Sequence, residues 1–331
     1  MKIRWKIILG IIISAVFLIY ALSQVDFAEV IKAFSEASYG WTIPMMLSVI
    51  FAMVIRTWRW KWLLSPIGDF RFGTLFSSIM IGFMANNILP ARIGEIVRAV
   101  SLSKKHSLSR SSIFATVVAE RVFDSFGLLV VFFITLFFVD YPEILKKSGL
   151  IVLAMTCLLL IFLYILKVKT ETTVRIFCAP IKFVSANLST KAESILRKFA
   201  DGLSILTSPA SIAVIFLYSV FLWIFTAIAG YMIFFAFDLH PSIWASFIML
   251  FATVLAVSLP SSPGFIGTFQ AGCVFAFDLI ASLGMFGQDV SKSIALSYSI
   301  VLWSCQYFPI TIIGLYYFKK EHLKINEISQ E

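Results

Sequence analysis

The chain has 331 residues, of which 60% are hydrophobic and only 14% are charged. Its mean hydropathy is +0.95, and an apolar share so far above the roughly half of soluble domains excludes a soluble enzyme fold. The formal net charge of +9 is spread over short connections between apolar runs, which is typical of membrane orientation and argues against a nucleic-acid partner.

Apolar runs of about 20 residues, the length that spans a bilayer core, recur along the whole chain. They predict an all-α polytopic membrane protein with a single transmembrane domain over residues 1–331, made of a first half, 1–139, and a second half, 140–331. Hydropathy and helix breakers predict about six full spans, at residues 7–23, 41–63, 111–139, 148–166, 210–237 and 293–318.

Two further apolar segments, 72–100 and 243–286, are interrupted by proline and glycine at 86–90 and 260–264. Such breaks free backbone hydrogen-bonding groups that lipid cannot satisfy, so each break is expected to face protein or a wet cavity. With the N-terminus inside, 22 of the 27 Lys and Arg residues fall on the cytoplasmic side.

That charge distribution requires the first broken segment to enter and leave on the inside and the second to enter and leave on the outside. Both then read as re-entrant hairpins, and the second half becomes an inverted copy of the first, as in many transporters. Eight ordinary spans with kinked helices remain the alternative. We expect a multi-pass protein of the cell membrane with both termini in the cytoplasm.

The segment 170–208 carries basic residues among Ile, Leu and Phe, and it predicts an amphipathic helix on the cytoplasmic face. Its simplest role is anchoring to anionic lipid. The basic residues that carry this prediction are Lys182, Lys191, Arg197 and Lys198.

The first candidate site is the stretch from Asn86 to Arg98. Pro90 can open a helix, whose free N–H groups beside Arg92 suit an anion such as phosphate, and Glu95 can pair with Arg98. A plain alternative is that the two arginines only fix topology at the interface. The candidate residues here are Asn86, Asn87, Pro90, Arg92, Gly94, Glu95 and Arg98.

The second candidate site is the charged trio Glu120, Arg121 and Asp124 inside the predicted span 111–139. Glu120 lies about 14 Å into that span, where each isolated charge costs roughly 2.5–3.5 kcal/mol. We therefore expect the trio to pair, with Arg121 reaching Asp124, and to leave one carboxylate for Arg92 or Arg98 or for a proton. A structural ion pair between helices is the alternative.

The third candidate site is the turn that contains Pro263, Gly264, Gly267 and Gln270, which predicts a tight reversal and a new helix start at membrane depth. A simple helix kink is the alternative. The sequence predicts no cofactor and no metal site, because its cysteines and histidines are too scattered to form a ligand cluster. They are Cys157, Cys178, Cys273, Cys305, His106, His240 and His322.

The three motifs in this order resemble the flippase-like membrane region of lysylphosphatidylglycerol synthetases, over nearly the whole chain. The chain also resembles the many stand-alone prokaryotic members of that family, which lack the cytoplasmic aminoacyl transferase domain. The resemblance implies translocation of aminoacylated or otherwise modified lipids, and some relatives are linked to polyisoprenoid glycolipid pathways. This chain has Ala91 where the family often has Gly, and Gln270 where a Glu is common. Glutamine cannot exchange a proton.

The leading hypothesis is a lipid translocator that is not an enzyme and whose partner is a membrane lipid with an anionic or phosphate-bearing headgroup. Arg92 and Arg98 would hold the headgroup while the two halves rock around it. One alternative is a membrane-embedded enzyme subunit with Glu95, Glu120 or Asp124 as general base. Another is a scaffold on which the basic segment 167–208 binds an aminoacyl- or glycosyltransferase.

Overall fold

The computed structural model describes residues 12, 14–19, 22, 25–89, 93–106, 108–259 and 261–322. Every regular element in these ranges is helical, which confirms the predicted all-α class. Short 3₁₀ turns lie at Tyr39–Trp41, Ser204–Thr207 and Pro263–Phe265. The α-helices are α1 Phe27–Glu36, α2 Thr42–Leu64, α3 Phe72–Ile88, α4 Gly94–His106, α5 Arg110–Thr135, α6 Glu143–Val168, α7 Thr170–Val184, α8 Ala186–Gly202, α9 Pro209–Ala236, α10 Trp244–Ser258, α11 Thr268–Ser282 and α12 Lys292–Lys320.

Among the described residues, five helical segments are long and apolar enough to cross a bilayer. Helix α5 has 26 residues and is also long enough, but charged residues interrupt its middle. Of the predicted span 7–23, only residues 12, 14–19 and 22 are described, and they are helical. The other five predicted spans are helices. The five apolar segments are Tyr39–Leu64, Glu143–Val168, Pro209–Ala236, Pro263–Ser282 and Lys292–Lys320.

Each of the two broken segments folds into an antiparallel pair of helices. In the first hairpin, α3 and α4 touch near the break, where Asn86 accepts from the N–H of Gly94, and again farther away, where Ser78 meets Ser101. The second hairpin pairs α10 with α11 in the same manner. Because the chain reverses at each break, an ordinary kinked span does not describe either segment.

The hairpin helices are also shorter than a bilayer core. This includes α11, because the apolar segment Pro263–Ser282 is not one continuous helix: Ile266 is extended and Gly267 has a positive φ. Helix α3 has 17 residues and α4 has 13, whereas α10 and α11 have 15 each. At 1.5 Å per residue these helices are about 20 to 25 Å long, against about 30 Å for the hydrocarbon core. Their lengths therefore fit the re-entrant layout.

The first hairpin begins and ends at one end of the molecule, and the second hairpin begins and ends at the other. At the basic end, His106 at the end of α4 contacts Phe70 before α3, and Lys105 pairs with Glu321 after α12. At the other end, the ring of Trp244 at the start of α10 stacks on Phe138 after α5 at 4.2 Å. The two hairpins therefore have opposite orientations, as the predicted inverted repeat requires.

The tips of the two hairpins meet between these ends. The carbonyl oxygen of Asn87 lies 3.2 Å from the point that a Cβ on Gly264 would occupy. Asn87 also donates to Thr311 on α12 at 2.9 Å, and the indole N–H of Trp303 donates to the carbonyl of Gly264 at 2.7 Å. Helix α12 therefore holds both tips.

The basic segment 170–208 is two helices rather than the single amphipathic helix that was predicted. The chain breaks at Ser185, whose hydroxyl accepts from the N–H of Leu188 and caps α8. Helices α7 and α8 then run antiparallel, with Arg197 paired to Glu171. Helix α8 packs against α5.

A methyl group at Gly94 is expected to disrupt the first hairpin, because its Cβ would lie 2.1 Å from the carbonyl oxygen of Gly82. Gly94→Ala should lower the free energy of unfolding by roughly 1–3 kcal/mol, the range for overpacking, since backbone cannot yield there. Gly73→Ala is the matched control, because nothing lies within 4 Å of its added carbon. Thermal melting in detergent measures both, and equal melting temperatures would contradict the close α3–α4 contact.

Candidate functional site

Arg59 lies at the centre of a buried group of charges. It is on α2, fully buried, and its two terminal nitrogens reach Glu120 Oε1 at 2.8 Å and Asp124 Oδ1 at 2.5 Å. The nitrogen that reaches Asp124 also donates to the hydroxyl of Ser219 on α9 at 2.8 Å. A guanidinium group suits this position because its planar fork binds several acceptors at fixed angles.

Three more arginines complete the group. Arg56 reaches Asp124 Oδ2 at 3.2 Å, and Arg98 reaches Glu120 Oε2 at 2.8 Å. Arg121 lies 3.1 Å from Glu95 and 3.5 Å from Asp124. We call these seven residues the ion-pair cluster: Arg56, Arg59, Arg98, Arg121, Glu95, Glu120 and Asp124.

The cluster confirms part of the predicted pairing and corrects the rest. Arg121 does reach Asp124, and the remaining carboxylate, Glu120, does meet Arg98. The predicted pair of Glu95 with Arg98 is wrong, because Glu95 instead faces Arg121 from α4.

Arg98 is buried and contacts other side chains of the helix bundle. Its residue is 2% exposed, and its guanidinium carbon lies 3.6 Å from the centre of a Trp60 ring, in addition to the ion pair with Glu120. The described contacts of the Arg98 side chain are therefore internal to the helix bundle. Pro90 and Arg92, the other residues of that prediction, lie outside the described residues.

Sequence reasoning did not identify Arg56 and Arg59 as site residues. It included their charges in the total of 22 on the cytoplasmic side. Both lie within α2, at 8% and 0% exposure, and Arg98 lies buried within α4. Three of the 22 residues that were counted as inside charges are therefore cluster members. Their signal was present, because Arg56 and Arg59 are three apart inside the predicted span 41–63 and so share one helix face.

The asparagines of the first tip serve the hairpin itself. Asn86 Oδ1 accepts from the N–H of Gly94 at 2.8 Å, and its amide nitrogen lies 3.4 Å from Glu95. One of the helix-start donors that were expected to face an anion is therefore occupied by Asn86. Asn87 links the tip to α12 through Thr311.

The second tip depends on two glycines with positive φ. Gly264 has φ +70, and Gly267 has φ +89 and stands where a Cβ would meet the backbone of Ser14 at 2.3 Å. Gln270 Oε1 accepts from the N–H of Gly267 at 2.7 Å and so caps α11. Its role in the structure is that of a buried cap, and Pro263 begins the 3₁₀ turn before it.

A cavity of about 320 Å³ lies between α2, α9, α10 and α12, next to both tips. Asn87 and Gly264 line it from the tips, whereas Arg56 and Arg121 line it from the cluster. Most of the remaining wall is apolar, with methionine, valine and aromatic side chains. The cavity therefore combines an apolar chamber with one cationic patch, an arrangement typical of sites for amphiphilic anions.

The chain is similar to several known membrane proteins. A UPF0104 membrane protein of Methanocaldococcus jannaschii is 24% identical over 92% of this chain and 91% of its own length. A UPF0104 membrane protein of Pyrococcus horikoshii is 23% identical over 92% of this chain and 94% of its own. The glycosyltransferase AglD of Haloferax volcanii is 27% identical over 37% of this chain and 20% of its own.

No solved structure matches the chain. The family described as the lysylphosphatidylglycerol synthase TM region matches residues 7–314, which include the ion-pair cluster, both hairpins and the cavity. The chain is therefore a multi-pass membrane protein that belongs to the lysylphosphatidylglycerol synthase transmembrane-region family.

Proposed function

We propose that this protein translocates a lipid with a phosphate-bearing headgroup between the two leaflets. The observation that carries the proposal is the cavity at the meeting point of two opposed hairpins, with Arg56 and Arg121 in its wall. A headgroup can enter such a cavity while its acyl or isoprenoid chains stay in the bilayer. The hairpins begin at opposite ends, so their relative movement can open the cavity to one side at a time.

The headgroup contacts in this proposal differ from those that the sequence suggested. Arg56 and Arg121 replace Arg98, because they line the cavity whereas Arg98 faces Glu120 and Trp60. Glu120 and Asp124 hold the arginines in place from behind. This arrangement leaves only one of the four arginine charges uncompensated when no lipid is bound.

A catalytic role for the carboxylates has less support. Glu95, Glu120 and Asp124 each face one or more arginines, and the described lining of the cavity does not include them. A general base must come within hydrogen-bond reach of its substrate. We therefore propose transport rather than catalysis by this chain.

The similarity to a glycosyltransferase favours one second candidate function. AglD shares a stretch of 122 residues with this chain. The protein would then supply a lipid carrier to a separate glycosyltransferase, with the exposed faces of α7 and α8 as the docking surface. Co-purification of a glycosyltransferase that requires these two helices would favour this scaffold role.

Purified protein in liposomes tests the translocator. We expect a fluorescent phosphatidylglycerol in the inner leaflet to become accessible to a membrane-impermeant quencher, at a rate that increases with the protein-to-lipid ratio. Protein-free liposomes prepared in parallel give the background rate. Translocation at the background rate, by protein that still melts cooperatively, would contradict the proposal.

The orientation is part of the same proposal, with both termini and segment 167–208 in the cytoplasm. Asn187 is exposed on α8, and Asp140 is exposed at the opposite end. In a background without native cysteines, Asp140→Cys should react with an impermeant maleimide added to intact cells. Asn187→Cys should react only after the cells are opened. Labelling of Asn187→Cys in intact cells would show that the proposed orientation is wrong.

A further inference from the structure

The charged wall of the cavity carries information about the headgroup. Among the described residues that line it, Arg56 and Arg121 are the only charged ones. Arg56 is 8% exposed and uses one terminal nitrogen on Asp124. Arg121, by contrast, has 39% of its side chain exposed. Donors therefore remain for a ligand.

The charge of the cluster fits one added anion. Its seven described members are four arginines and three carboxylates, which leaves one positive charge uncompensated. The described lining of the cavity includes none of the three carboxylates. A phosphate diester carries a single negative charge and offers the oxygens that a guanidinium binds through two parallel hydrogen bonds.

The same wall is unfavourable to an ammonium group. A cation in the cavity would meet Arg56 and Arg121 with no described carboxylate in the lining to pair with it. The ring of Phe83 is already engaged, with the guanidinium carbons of Arg56 and Arg121 at 5.5 and 5.6 Å from its centre. Like charges placed together in a site of low dielectric constant repel strongly.

The size of the cavity limits the headgroup further. Its volume of about 320 Å³ lies at the lower end of the roughly 300 to 1,000 Å³ of ligand pockets. A phosphate with a small alcohol fits such a volume, whereas an oligosaccharide does not. Met53, Val49 and Met249 in the wall offer apolar contacts to the first carbons of the lipid chains.

We infer that Arg56 and Arg121 select a lipid with a small, net anionic phosphate headgroup and against an aminoacylated headgroup that carries an ammonium. This inference rests on the proposed function and narrows its substrate class. It also departs from the aminoacylated lipids that the family resemblance implies. A phosphate group could reach the cavity either as part of a lipid or as a free phosphate ester.

Binding to the purified protein tests the selectivity without transport. Three probes are compared by ligand-induced thermal shift: short-chain phosphatidylglycerol, lysyl-phosphatidylglycerol of the same chain length, and glycerol 3-phosphate. We expect the lysyl lipid to bind about tenfold or more weakly than phosphatidylglycerol, because charged groups in such contacts contribute about that factor. Glycerol 3-phosphate should bind more weakly still, since it lacks chains.

Three variants connect the selectivity to the wall. Arg121→Gln should weaken phosphatidylglycerol binding by about ten- to a hundredfold, the range for a hydrogen bond to a charged group. Gln306→Glu places a carboxylate in the cavity lining and should reverse or abolish the preference over the lysyl lipid. Lys147→Gln, on the exposed surface of α6 and away from the described lining of the cavity, is the control and should change neither affinity. If Arg121→Gln does not fold, Gln306→Glu still tests the inference.

The outcomes separate this inference from the proposed function. Equal or tighter binding of the lysyl lipid by the parent protein would overturn the inferred selectivity. If the protein also translocated the lysyl lipid in liposomes, the proposed translocator function would still hold. Glycerol 3-phosphate that binds as tightly as the lipid would overturn both. A preference that Gln306→Glu leaves unchanged would overturn the role assigned to the wall charge.

Discussion

Glu120→Gln is expected to abolish most of the folded protein, although it changes the size of the side chain very little. Glu120 is fully buried and pairs with Arg59 and Arg98. Removing one partner of a buried ion pair costs roughly 3–5 kcal/mol, a large part of the 5–15 kcal/mol that stabilises a typical domain. Arg98 has no other ion pair among the described residues, so its charge would be left buried and uncompensated.

Glu95→Gln is the matched control for this prediction, because it makes the same chemical change in the same cluster at a more exposed position. Its side chain is 23% exposed and its partner Arg121 is 39% exposed. Exposed ion pairs contribute about 0–1 kcal/mol, so this variant should melt close to the parent protein. Adding Arg98→Met to Glu120→Gln should recover part of the stability. Equal melting of the two single variants would show that the cluster is hydrated.

Gly230→Phe is expected to stop translocation while it leaves the fold intact. Gly230 lines the cavity, and nothing lies within 4 Å of the point that its Cβ would occupy. A phenyl ring can therefore fill the chamber without overpacking it. Replacing a helical glycine also removes a conformational penalty of up to about 1 kcal/mol, so the melting temperature should be maintained or raised.

Two controls accompany Gly230→Phe in the liposome measurement. Gly230→Ala makes the same backbone change without filling the chamber, and it should retain translocation. Gly73→Phe adds the same ring at another glycine with open space, away from the described lining of the cavity. It should also retain translocation. If Gly230→Phe moves lipid at the parental rate, the cavity is not the pathway.

Much of the fold follows from local composition, because a bilayer core requires long, mostly apolar segments whose backbone groups are paired within a helix. The apolar runs therefore predicted α2, α5, α6, α9 and α12, and the proline and glycine breaks predicted both hairpins. The division of 170–208 into α7 and α8 was missed. It depends on Ser185, a cap that a basic amphipathic pattern does not distinguish from an ordinary polar residue of the helix surface.

The site was harder to predict, because its pairs join distant parts of the chain. Pairing of Glu120, Arg121 and Asp124 inside the protein could be predicted, since unpaired charges are costly in lipid. Their partners Arg56 and Arg59 stand near the end of an apolar run, where arginine usually marks an interface. The sequence separations from Asp124 are 68 and 65 residues, so only the packed structure selects these partners.

The separation within the ion-pair cluster has a consequence for biogenesis. Arg59 in α2 is synthesised 61 residues before Glu120, its partner in α5. At about 5–20 residues per second, the ribosome needs roughly 3–12 s to deliver that partner. During this delay the arginines of α2 have no internal counter-charge, and their long side chains must reach for the basic interface. We therefore expect α2 to complete its insertion only when α5 arrives, so that the two insertion steps are coupled in time.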